Sequence, residues 1–165
     1  MSAARARRIR FALVMLLLVG MQFYVRPRIW NPRLAPDFLM LGLMIFAIRS
    51  RPGAAAVAGF IIGFASDALT PARFGAAMLA ETLVGYAAAW GRAVFFADNL
   101  LVNAGFIAGG VWVRDLLVLV ASGTGGKALA AQLFIWSPLL ALSTAITGVF
   151  VLVLFRDWLD IRLEE

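Results

Sequence analysis

The sequence predicts an all-α integral membrane protein, a single transmembrane domain over residues 1–165 built as a compact bundle of six helices. Three observations carry this. The chain of 165 residues is 63% hydrophobic and only 15% charged, where a soluble domain is about half apolar and a quarter charged. Six apolar stretches fill it, at residues 9–25, 36–48, 54–69, 74–90, 99–121 and 129–155, and six spans of ~20 residues use up a chain of this length. The stretches are also continuously apolar, without the alternation of a membrane β-barrel, so their backbone polar groups must be satisfied within helices.

The first stretch follows a basic start, MSAARARRIR, and resembles a secretory signal. No small-x-small cleavage site follows. The run ends at Gln22, Phe23, Tyr24 and Val25 before Arg26 and Pro27, so a retained signal-anchor helix is expected. The second stretch has 13 residues, enough for ~20 Å of helix against a hydrocarbon core of ~30 Å. It must start earlier, lie buried among its neighbours, or be re-entrant. Short links carrying turn or charge signals (RSRPG, TPAR, GRAVFFAD, SGTGGK) separate the remaining stretches. Pro138, early in the sixth, is expected to kink that helix.

Orientation follows from Lys and Arg. With the N-terminus in the cytoplasm, nine basic residues fall on inside ends (Arg5, Arg7, Arg8, Arg10, Arg49, Arg51, Arg92, Arg156 and Arg162). Five fall on outside loops: Arg26, Arg28, Arg33, Arg73 and Lys127. The positive-inside rule then places both termini in the cytoplasm. Trp30, Trp90 and Trp158 lie at segment ends, where amphipathic rings prefer to sit.

Composition also excludes chemistry. The net charge of +6 is dispersed between apolar runs, unlike the basic stripe of a nucleic-acid binder. Cys and His are absent, which removes disulfides, thiol nucleophiles, His–metal sites and imidazole acid–base catalysis. SGTGGK at residues 122–127 lacks the spacing and preceding strand of a phosphate loop, and is read as a flexible loop. No catalytic residue, cofactor or metal site is expected.

Four ionisable residues fall in or near the ends of the apolar stretches: Asp67, Glu81, Arg114 and Asp115. Such groups are costly in lipid and face the protein interior or water. Small residues recur on their faces every four positions: Ala55, Gly59, Gly63 with Asp67; Ala77, Gly85, Ala89 with Glu81; Phe106, Gly110 with Arg114. Residues four apart share a helix face, and small-xxx-small stripes let membrane helices approach closely. Glu81 and Arg114 each lie seven residues from the same-side end of their stretches, ~10 Å deep, so an ion pair between them is allowed. Helix locking is the first reading of these charges. A site for a ligand or a proton is the second.

Residues 36–40 (PDFLM) and 59–86 (GFIIGFASDALTPARFGAAMLAETLVGY) resemble the rod shape-determining MreD family of bacteria. That family opens its second helix with Pro-Asp/Glu, closes a Gly-rich third helix on Asp, turns at a Gly and ends its fourth helix in Thr-Leu-x-Gly-Tyr. The matching positions are Pro36, Asp37, Gly59, Gly63, Asp67, Gly75, Thr82, Leu83, Gly85 and Tyr86. Phe74 stands where the family often has Leu, and the last stretch has Pro138 early and Gly148 later, not the late Pro common in relatives. The resemblance implies a non-enzymatic scaffold in the bacterial cytoplasmic membrane. It would belong to the cell-shape and peptidoglycan elongation machinery. The implied partners are the single-span MreC, the glycan polymerase RodA with its transpeptidase, and the actin-like MreB. The family fold also resembles the substrate-binding subunit of energy-coupling-factor transporters, which leaves a vitamin-binding transporter subunit as the alternative.

Overall fold

A computed structural model describes residues 3–31, 33–95 and 100–159. All regular structure among them is helical. Helix α1 spans Ala3–Tyr24, α2 Phe38–Arg49, α3 Pro52–Ala68, α4 Ala76–Phe95 and α5 Leu100–Ala121. A last helical run, Gly126–Leu154, is 29 residues long and divides into α6 (Gly126–Ala131), a π turn (Gln132–Trp136) and α7 (Ser137–Leu154). A short α8, Arg156–Leu159, follows. Three stretches are long and apolar enough to cross a membrane: Arg5–Arg28, Leu100–Ala121 and Gly126–Leu154. The link at residues 96–99 and Arg162 lie outside the described residues.

The first helix begins at Ala3, six residues before the apolar run. Ala and Arg are strong helix formers, so the basic segment continues the helix beyond the apolar stretch. The fourth helix likewise runs on to Phe95, past Trp90.

Helix α2 resolves the problem of the short second stretch. Its 12 residues reach only ~18 Å, and Phe38 to Ile45 are buried without interruption. Neighbours α1, α3, α4, α5 and α7 all pack against it. A helix buried all round is apolar all round, so α2 forms the centre of the structure. Asp37 starts it, with a side-chain oxygen accepting from Met40 N–H at 3.0 Å, the usual N-cap device.

Helices α3 and α4 form the closest pair, with their small-residue stripes face to face. A Cβ on Gly59 would lie 2.1 Å from the Glu81 carbonyl oxygen, one on Gly63 2.5 Å from that of Ala77, and one on Gly85 2.6 Å from that of Ala55. No side chain fits such backbone-to-backbone contact. The turn between them ends at Gly75, whose φ of 98° is in the region open chiefly to glycine.

Pro138 is accommodated by a π turn, itself a common site of helix kinks. In the π turn just before it, the Ser137 N–H bonds to the Gln132 carbonyl instead of the Leu133 carbonyl. Pro138 itself has no N–H to give. The freed Leu133 carbonyl accepts from the Trp112 indole N–H of α5 at 3.1 Å, so no orphan acceptor remains there. Residues 122–127 make a tight turn, with Gly123 at φ 69° and Gly126 at φ 64°. Helix resumes at Gly126, and two left-handed glycines shape this loop.

Candidate functional site

The connections α1–α2, α3–α4 and α5–α6 lie at one end of the helices, hereafter the arginine end. Beneath it sits a buried polar network centred on Arg114 of α5. Its Nη2 donates to Glu81 Oε1 of α4 at 3.1 Å, and its Nη1 donates to Asp115 Oδ1 at 3.0 Å. Nη2 also lies 3.6 Å from Asp37 Oδ2 at the start of α2. Asp37 in turn is 3.7 Å from Arg26 Nη1, just after α1. Hydroxyls complete the set: Ser66 donates to Glu81 at 3.3 Å, and Ser137 donates to Asp115 at 2.7 Å. Thr144 of α7 accepts from the Asp37 N–H at 3.1 Å. Asp37, Glu81, Asp115, Ser137 and Thr144 are all buried.

One guanidinium thus holds carboxylates from α2, α4 and α5, and hydroxyls tie in α3 and α7. Burial on this scale is tolerated only when charges are paired and hydrogen-bonded. The planar fork of Arg suits several carboxylates at once, as an ammonium would not. Glu81 Oε2 and Arg114 Nε have no hydrogen-bond partner among the described residues.

The four ionisable residues of the apolar stretches separate into two groups. Glu81, Arg114 and Asp115 meet in the network. Asp67, also buried, caps the neighbouring helix: its carboxylate accepts from the N–H groups of Gly75 at 2.9 Å, Ala77 at 3.1 Å and Met78 at 2.9 Å. Those are orphan donors at the start of α4, and a negative charge there is favoured by the helix dipole. Asp37, matched with Pro36 as the pair that opens the second helix, caps α2 and also joins the network. Thr82 folds its hydroxyl back onto the Met78 carbonyl, and Tyr86 is exposed on α4. Ser66, Ser137 and Thr144 carried no signal in the sequence beyond being polar residues within apolar runs.

Two cavities open above the network, of about 600 Å³ and 460 Å³. Both are lined by Arg26, Arg73, Arg114 and Val118, and the smaller one also by Arg33. Arg33 stacks on the Trp136 ring, 4.7 Å from its centroid. No nucleophile paired with a base lines either cavity, and no cluster of three or more metal-ligating residues exists among the described residues.

The family description that matches the chain is the rod shape-determining protein MreD, over residues 7–157. No curated protein and no solved structure matches it. That match spans every described helix except the first residues of α1 and the last of α8, and takes in the Pro36–Asp37 pair, the α3–α4 stripes and Arg114. The chain therefore belongs to the MreD family of rod shape-determining membrane proteins.

Proposed function

We propose that the protein is a non-enzymatic scaffold of the cell-wall elongation machinery. It would bind the single-span MreC in the membrane and, through it, serve the glycan polymerase RodA, its transpeptidase and the actin-like MreB. The observation that carries this reading is the family match over residues 7–157. The geometry supports it by the way polar groups are used. Arg114 binds its own acids, and Asp67 is occupied by backbone N–H groups.

In this reading the chain is one domain with six spans in the bacterial cytoplasmic membrane, with both termini inside. Helix α2 crosses only with the help of the helices around it. An apolar groove of about 500 Å³ between α4 and α5, lined by Leu83, Tyr86, Ala87, Phe106, Gly110 and Val113, offers a partner helix a surface. Small residues at such surfaces favour close approach of membrane helices.

The test is genetic and biochemical together. Depletion in a rod-shaped host should give round or swollen cells, and affinity purification from membranes should bring MreC down with the protein. Unchanged shape combined with growth rescued by a supplied vitamin would favour the transporter-subunit alternative. The proposed likeness to energy-coupling-factor subunits belongs with that alternative.

A further inference from the structure

A second cleft runs down the outside of the structure between α1 and α3. Both helices pack on α2 but hardly touch each other, so the side of α2 between them forms a floor. The cleft is lined by Phe11, Met15 and Val19 of α1, Gly42 of α2, and Ala58 and Ile62 of α3, with a volume of about 540 Å³. Its lining is almost wholly apolar. One helical turn further along, the same two walls continue into the larger of the arginine-lined cavities. Val19 gives way to Gln22 on α1 and Ile62 to Ser66 on α3, and Leu39 borders both spaces.

The path therefore changes character along its length: apolar beside the middle of the helices, basic at their ends. Arg73 has no carboxylate partner among the described residues, and Arg26 has only the 3.7 Å approach to Asp37. Asp67 borders the polar part, but its oxygens are engaged by three backbone N–H groups. A membrane lipid has this same polarity, and the planar fork of an Arg guanidinium matches phosphate geometry.

We propose that the α1–α3 cleft holds one phosphate-bearing membrane lipid, its phosphate on Arg26 and Arg73 and one hydrocarbon chain lying over Gly42. The site goes beyond the scaffold function and is independent of it, since binding is read on the isolated protein.

The experiment uses the full chain, delipidated in a maltoside detergent, with native mass spectrometry as the readout. Dioleoyl phosphatidic acid should bind at one per protein. Dioleoylglycerol, with the same chains and no phosphate, should bind about tenfold more weakly, the effect of losing one charge-assisted hydrogen bond. Arg73→Gln should weaken phosphatidic acid by a similar factor. Ala12→Trp, placed on the exposed α1 wall of the cleft, should prevent binding, and Ala58→Trp on the α3 wall serves if the first variant does not fold. Helix content by circular dichroism checks each variant. Equal binding of dioleoylglycerol would overturn the headgroup site. Binding that survives both tryptophans but is lost with Arg73→Gln, or is displaced by inorganic phosphate alone, would overturn the lipid and leave a free anion in the cavity.

Discussion

Arg114 Nη2 lies 3.1 Å from Glu81 Oε1, joining α5 to α4 across 33 residues of sequence. The same guanidinium holds Asp115 and faces Asp37, so the two partners are not equivalent. Loss of Glu81 leaves Arg114 two carboxylates, whereas loss of Arg114 leaves three buried acids around an empty centre. Breaking a buried pair costs ~3–5 kcal/mol in soluble proteins, and intramembrane polar couplings are often nearer ~1 kcal/mol. Thermal unfolding in detergent should therefore show Arg114→Gln as more damaging than Glu81→Gln. The double variant should be less damaging than the sum of the two, and strict additivity would rule out direct coupling.

The α3–α4 contact makes a sharper test of packing. Gly59→Ala places a methyl group 2.1 Å from a carbonyl oxygen of the facing backbone, so the helices must part. A loss of ~1–3 kcal/mol is expected. Gly109→Ala, on α5, meets nothing within 4 Å and should be neutral or slightly stabilising, because Ala is the better helix former. Equal melting temperatures for the two variants would contradict the close approach.

Trp112→Phe keeps the ring and removes the N–H that satisfies the Leu133 carbonyl. An unmet buried acceptor costs ~1–3 kcal/mol. If Pro138 is what commits the helix to the π turn, Pro138→Ala combined with Trp112→Phe should recover part of that loss. A regular helix would then use the Leu133 carbonyl itself. The melting temperatures of the single and the double variant decide the matter.

Topology is checked with reporters active only in the cytoplasm. Fusions after Arg51, Ala93 and Glu165 should be active, and fusions after Arg33, Ala72 and Gly125 should be silent. An active fusion after Arg33 would mean that α1 does not cross, and a silent one after Arg51 that α2 does not.

Much of this arrangement could be read from spacing, because a helix converts sequence distance into depth and face. Ala55, Gly59 and Gly63 share one face of α3, and Ala77, Glu81 and Gly85 one face of α4, by periodicity alone. Glu81 and Arg114 could be matched because each is seven residues from the same-side end of its stretch. Spacing says nothing about which helices are neighbours. The short length of α2 leaves burial among its neighbours as one of three options, and only the packing decides between them. Asp37 can be matched as the residue that opens the second helix, but not as a member of the network, because Arg114, which draws it in, is far away in sequence. The π turn was equally hidden, since Pro138 announces a missing hydrogen bond but not how the preceding turn reorganises.

The placement of Arg114 late in the chain has a consequence for biogenesis. The ribosome delivers Glu81 well before Arg114, so the first four helices are made while Glu81 has only the Ser66 hydroxyl and Asp37 only the 3.7 Å approach of Arg26. Those helices should stay loosely associated, within reach of the insertion machinery or of membrane proteases, until α5 arrives. A nascent chain stalled before Leu100 should then be degraded faster than one released after Ala121. Arg114 would act in that interval as the residue whose arrival marks the protein as complete enough to keep.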